Sequence, residues 1–377
     1  MPTEPIAAPR ISLILHKFSR GGSDRVAAYL ATGFRDAGMA VELIILGRGG
    51  EVEGLLAEAV GDIPAHYLGT ASSSRPWDLV RTFPALVRTL REHRPDAVIS
   101  TANNTALVSA WAVRLAGLRD TKVLLKTTNP IASSRHRGIA KALRRWTYRT
   151  IFAWTDSVWT LSADEAEEMR VAFPAFRDRF TDVANPYVTP AMLAAPAAAS
   201  APTTGKTVIT IARLTEQKRL DRLIAAFAEI GDPAIRLLIL GEGEDRAALE
   251  AQVRALGLSE RVSMPGYVAD VAAALHAADL FVLTSDYEGL PAALLEAMAA
   301  NCPVLCTDCF PAARTIIDAA EGCAVIEDVS PRPLARQIEQ ALGQPRPTTL
   351  DRIARLYSIA NGIASHLAAL RHSLAAR

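Results

Sequence analysis

Glu288 and Glu296 stand in the segment SDYEGLPAALLEAMAANCPV, residues 285–304, with seven residues between them. The run between them opens with Gly289, Leu290 and Pro291 and then reads as helix. Proline suits a first helical position because its missing N–H has no partner there anyway. Gly289 lets backbone approach a ligand closely. The unpaired amides near Leu290, Ala292 and Ala293 then form the positive end of a helix, a ready anion site. Glu296 lies one turn further in, where a carboxylate can accept hydrogen bonds from the vicinal hydroxyls of a ribose. An anion site with a carboxylate on either side matches a nucleoside diphosphate joined to a sugar. The plainer reading leaves Glu296 as an exposed helix residue and Glu288 as a helix-end charge.

Cations and glycine turns accompany this segment. Arg213 and Lys218, in ARLTEQKRLD, sit in one turn from which both can reach a diphosphate and stabilise it as it departs. Gly241 and Gly243 form a G-x-G turn without the third glycine of a dinucleotide fingerprint. Gly21 and Gly22 lie in the first βα turn of the chain.

The elements that must position these residues alternate along the chain. ISLILHKF (11–18), AVELIIL (40–46), DAVIST (96–101), KVLLKTT (122–128) and SVWTLS (157–162) read as strands separated by helical patterns such as 23–38. The pattern restarts with TVITIAR (207–213) and continues through IRLLILGEG (235–243), VSMPGY (262–267), DLFVLTS (279–285) and PVLCTD (303–308). This alternation predicts an α/β protein of two doubly wound, Rossmann-like domains with buried parallel sheets. Residues 1–186 form the first domain, 187–206 a linker rich in Pro, Ala, Ser and Thr, and 207–356 the second. The tail from about Asp351 reads as helix, with Leu356, Ile359, Ile363 and Leu367 at helical spacing, and its part 357–377 completes the first domain. A ligand is expected in a central cleft faced by both domains, near the carboxyl ends of the strands.

Composition narrows the function classes. Half of the 377 residues are hydrophobic and the net charge is +1, which gives no overall field for nucleic acid. The charge is divided unequally: residues 1–190 hold 24 Lys+Arg against 19 Asp+Glu (+5), the remainder 17 against 21 (−4). The start, MPTEPIAAPR, lacks the pattern of a secretory signal, and no apolar stretch approaches the ~20 residues that span a bilayer. The expected location is the cytoplasm, peripheral on the cytoplasmic face of the membrane. Cys302, Cys306, Cys309 and Cys323 include no pair of CxxC motifs and read as small hydrophobes, not metal ligands.

Four segments in order, the GG turn, A-R-L-x-x-x-K, G-E-G and E-G-L-P-x-x-x-x-E-A-M, resemble the retaining family-four glycosyltransferases of GT-B architecture, over essentially the whole chain. The resemblance implies a retaining hexosyltransferase that needs no metal or other cofactor and takes a nucleoside-diphosphate sugar, UDP-linked by family frequency. It implies Arg213 and Lys218 as the diphosphate pair, Glu288 as the carboxylate near the donor sugar and Glu296 as the ribose ligand. Gly289, Leu290 and Pro291 supply diphosphate contacts, Tyr267 and Val268 hold the base, and Gly21 and Gly22 close over the donor, with the Gly241 and Gly243 turn beside it. On the acceptor side stand His16, Thr128, Asn129 and His136. Two positions depart from the pattern: many relatives carry His at Thr128 and Glu at Thr315. A nucleotide-sugar epimerase or hydrolase and a non-catalytic nucleotide-sugar-binding protein are the alternatives.

The segment 133–154 carries six basic residues, Arg135, Arg137, Lys141, Arg144, Arg145 and Arg149, and no acidic one. At about 100° per residue, Ile139, Leu143, Trp146 and Thr150 share one face and Arg137, Lys141, Arg144 and Arg145 the other. Two readings fit. Either the helix lies on an anionic membrane, contacting it through the basic residues and Trp146, or its apolar face packs on the sheet. Relatives that glycosylate lipid-linked acceptors favour the first, with a lipid or lipid-linked glycan as acceptor.

Overall fold

The computed structural model describes residues 8–17, 22–47, 58–69, 75–132, 138–194 and 205–376. The chain divides into two compact units, 1–186 with 359–377, and 187–358. In the first unit, seven parallel strands are ordered β3-β2-β1-β4-β5-β6-β7. These are β1 (Arg10–Leu15), β2 (Ala40–Ile45), β3 (Ala65–Tyr67), β4 (Ala97–Ser100), β5 (Lys122–Lys126), β6 (Ser157–Thr160) and β7 (Phe180–Asp182). The second unit holds six parallel strands ordered β10-β9-β8-β11-β12-β13. These are β8 (Thr207–Ile211), β9 (Arg236–Leu240), β10 (Val262–Gly266), β11 (Leu280–Leu283), β12 (Val304–Thr307) and β13 (Ala324–Ile326). Both sheets are doubly wound and Rossmann-like.

The central strands β4, β11 and β12 are buried along their whole length. Helices on both faces of a parallel sheet demand this, and each buried Leu, Ile or Val side chain contributes roughly 1.5–3 kcal/mol. The three-residue strands β3, β7 and β13 occupy sheet edges. None of the three follows from the sequence pattern, because three residues are too few to display a period of two.

Helix Ile359–Ala375 packs in the first unit by close backbone approach. A Cβ on Gly362 would strike Pro186, and one on Gly33 would strike Ile363. Its buried residues are Gly362, His366, Leu370 and Ser373. This corrects the face Leu356, Ile359, Ile363 and Leu367: Leu356 is exposed and lies beyond a separate short helix, Asp351–Arg355. Within the linker range, Tyr187 and Val188 both donate to the Tyr357 carbonyl, and Thr189 caps a short helix, Pro190–Leu193.

Candidate functional site

In each sheet the strand order reverses beside its first strand, where ligands of open α/β folds bind beyond the carboxyl ends of the strands. In the second unit this place lies between β8 and β11. The segment after β8 carries Arg213 and Lys218, and the segment after β11 carries Ser285 and Glu288.

Hydrogen bonds clamp these two segments together. Thr284 Oγ1 donates to the carbonyls of Lys218 and Arg219 (3.2 and 3.0 Å), the Asp286 amide to Gln217 O (2.9 Å) and Gln217 Nε2 to Tyr287 O (2.7 Å). Arg219, in the left-handed region at φ 49°, and Arg222 pair with Asp286 at 3.7 and 2.9 Å. The clamp brings Lys218 Nζ to 2.5 Å from Glu288 Oε1. Ser285 Oγ donates to the same oxygen at 2.6 Å, and the Glu288 amide donates to Cys309 O at 2.7 Å. Glu288 is 7% exposed. An ammonium and a hydroxyl on one carboxylate oxygen fix Glu288 in place, with its second oxygen outside both contacts. Gln217, Thr284, Ser285 and Asp286 are not marked by the sequence, since polar loop residues carry no periodicity.

Helix Ala292–Ala299 starts directly after Glu288–Pro291. Pro291 is its N-cap, in extended backbone (ψ 109°), which corrects the first-helical-turn assignment by one position. No side chain caps this end, so its first amides remain available to an anion. Glu296 is 3% exposed inside the helix, which removes the reading of an exposed surface residue. Gly289, Leu290 and Pro291 are buried beside it. Arg213 is exposed, with no side-chain partner among the described residues.

Gly241 and Gly243 shape the loop that carries Arg213. A Cβ on Gly241 would collide with Ala212 O, and one on Gly243 with Leu214 O. Leu214 N donates to Glu242 O and Asp245 N to Leu214 O, each at 3.0 Å. The close approach these glycines serve is between two protein segments. Tyr267 is 54% exposed just past β10, with Val268 half-buried beside it. All four cysteines are free; burial pushes the Cys302 and Cys309 thiols up to about 12, so both stay protonated.

In the first unit the switch point lies between β1 and β4. His16 follows β1, buried, with Nε2 3.7 Å from Asp78 Oδ2. Thr128 and Asn129 follow β5 and are held by Asn103, whose Oδ1 accepts from the Thr128 amide (2.9 Å) and whose Nδ2 donates to Asn129 O (2.8 Å). Gly22 begins helix Gly22–Asp36, whereas Gly21, His136 and Arg137 lie outside the described residues.

Helix Gly138–Ala153 buries Tyr148, Ile151 and Phe152. Ile139, Leu143 and Trp146 are 87%, 60% and 62% exposed, which corrects the packing of that stripe on the sheet. Arg144 donates to Pro130 O and stacks on Tyr148; Arg145 donates to Ala172 O and stacks on Phe173. These two cations are tied to their own unit, whereas Lys141 is exposed. No helix among the described residues is long and apolar enough to cross a membrane.

Residues 194–356 match the family model Glycosyl transferases group 1, and residues 21–186 match Glycosyl transferase 4-like domain. An uncharacterized glycosyltransferase of Methanocaldococcus jannaschii is 27% identical over 258 residues, 64% of this chain and 63% of the relative. A lipopolysaccharide core biosynthesis glycosyltransferase of Rhizobium meliloti, LpsE, is 36% identical over 106 residues, 28% of this chain and 31% of the relative. The matches thus span less than two thirds of these curated relatives. Anabaena HepE, solved in complex with UDP and glucose, superposes with TM-score 0.78 at 18% identity, covering 97% of this chain and 100% of HepE. That likeness establishes the GT-B fold.

Proposed function

Because the chain belongs to the group 1 glycosyl transferases, we propose that it transfers a hexose, with retained configuration, from a nucleoside-diphosphate sugar to a lipid or lipid-linked glycan. The observation that carries this reading is the Lys218–Glu288–Ser285 constellation at the β8–β11 switch point, beside an uncapped helix end. Arg213, Lys218 and the amides at Ala292 and Ala293 balance the charge of the departing diphosphate. Loss of one such contact costs ~3–4 kcal/mol of transition-state stabilisation. Glu288 orients the donor sugar and Glu296 takes the ribose hydroxyls. Retention follows from attack on the face the diphosphate leaves, the phosphate oxygen accepting the acceptor's proton. With these cations and amides carrying the leaving-group charge, transfer requires no metal.

UDP is the favoured donor nucleotide; the UDP and UDP-glucose complexes of HepE support it. Relatives named for lipopolysaccharide core and Vi polysaccharide biosynthesis support a role in cell-envelope glycolipid or polysaccharide synthesis. The exposed stripe Ile139, Leu143 and Trp146 with Lys141 supports work at the cytoplasmic membrane face, against anionic lipid.

The test is calorimetric titration with UDP-, GDP-, ADP- and TDP-sugars, with and without EDTA, followed by turnover on a lipid acceptor. Selective, EDTA-insensitive binding of one donor, with transfer, is expected. Binding without turnover on any acceptor indicates a non-catalytic nucleotide-sugar protein, and donor turnover without acceptor indicates an epimerase or hydrolase.

A further inference from the structure

A second cluster of ligating side chains lies within the first unit. Glu42 is the third residue of β2, His66 the second of β3, and His93 the last of helix Arg75–His93. Arg94, at φ 47°, turns the chain immediately after His93 and ends the helix there. Glu42 Oε2 is 3.3 Å from His66 Nε2 and 2.7 Å from His93 Nδ1. The two imidazoles meet edge-on with centroids 4.7 Å apart. Ser12, the third residue of β1 and the register partner of Glu42, donates its hydroxyl to Glu42 Oε1 at 2.5 Å.

Two ring nitrogens therefore converge on one carboxylate oxygen, and all three ligand atoms lie within 4.8 Å of one another. Zinc bonds of about 2.0–2.2 Å at tetrahedral angles separate ligand atoms by about 3.3–3.5 Å. The Glu42–His66 pair already has that spacing, and His93 needs to withdraw by about half an ångström to reach it. The Ser12 hydroxyl fixes the carboxylate through its other oxygen, as an outer hydrogen-bond partner does in a metal site. Two imidazoles and a carboxylate suit a divalent transition metal and leave a fourth position for water. The three ligands are partly exposed, so an ion can enter.

We propose that Glu42, His66 and His93 bind one zinc ion that ties the short edge strand β3 to β2 and to the end of helix Arg75–His93. Glu42 and Ser12 lie early in their strands, whereas His16 follows the carboxyl end of β1. The ion is therefore a structural staple and takes no part in sugar transfer.

The test uses the full chain, without a purification tag, titrated with ZnCl2 by calorimetry and with CoCl2 by visible absorption. One equivalent of zinc, Co2+ bands of tetrahedral intensity and a raised melting temperature are expected. His66→Ala, His93→Ala and Glu42→Gln should each abolish that equivalent, and Ser12→Ala should weaken it about tenfold. Glu42→Gln keeps the size of the side chain and leaves its amide oxygen to accept from Ser12, so its circular dichroism should stay unchanged even if a histidine variant folds poorly. Absence of saturable zinc binding, or binding equally tight in Glu42→Gln and the histidine variants, overturns the proposal.

Discussion

Glu288 and Lys218 are coupled through one short ion pair, so neither can be changed without disturbing the other. Glu288→Gln keeps the Ser285 contact and the fold but removes the charge that Lys218 balances. It should lower kcat by about 10²-fold or more while leaving nucleotide binding within a few-fold. Glu296→Ala should do the reverse, raising the donor KM with kcat largely kept, because a ribose contact is made equally in the ground and transition states. Steady-state kinetics on the two variants separate the roles; the same parameter moving in both counts against the assignment.

At the scale of the element, helix Gly138–Ala153 has two faces in different surroundings, and the proposed membrane contact rests on the exposed one. Tyr148, Ile151 and Phe152 hold it to its unit, while Ile139, Leu143 and Trp146 are exposed. A Leu143→Ser/Trp146→Ser double variant should therefore lose cosedimentation with anionic vesicles yet melt at the wild-type temperature. Lys141→Ala should weaken vesicle binding by about 1 kcal/mol, roughly fivefold. Charge reversal at Arg144 or Arg145 is a poorer probe, since both anchor the helix to neighbouring carbonyls. Unchanged sedimentation of the double variant removes the membrane reading of this helix.

At the scale of the whole molecule, the C-terminal helix carries a folding liability into the first unit. His366 is fully buried against Trp159, its Nδ1 2.8 Å from Gly362 O. Burial, and to a lesser degree nearby Lys126, lowers its pKa from 6.5 to about 3. The folded ring stays neutral where the unfolded ring is protonated, so the unfolded state binds more protons between those values. Stability is complete above about pH 6.5 and is lost as pH falls toward 3, by up to ~1.4 kcal/mol per unit. Urea melts at pH 7 and pH 5 should show a smaller loss for His366→Leu than for wild type; equal losses place the acid sensitivity elsewhere.

The sequence by itself determined the two runs of alternating strands and helices, because a buried parallel strand must be apolar along its length and a covering helix must repeat at 3.6 residues. It also marked Glu288, Glu296, Arg213 and Lys218, whose types and local spacing suit an anionic, hydroxyl-bearing ligand. Only the tertiary structure decided which of these meet. Lys218 and Glu288 are 70 positions apart, and their contact depends on β8 lying beside β11. The same holds for Glu42, His66 and His93, brought together by strand register and a helix end, and for the short edge strands β3, β7 and β13. The close approach of Gly241 to Ala212 and of Gly243 to Leu214 is a further contact between segments that the sequence alone does not show. Periodicity is written within about ten residues of backbone, whereas side-chain encounters follow from strand order and packing between segments distant in the chain.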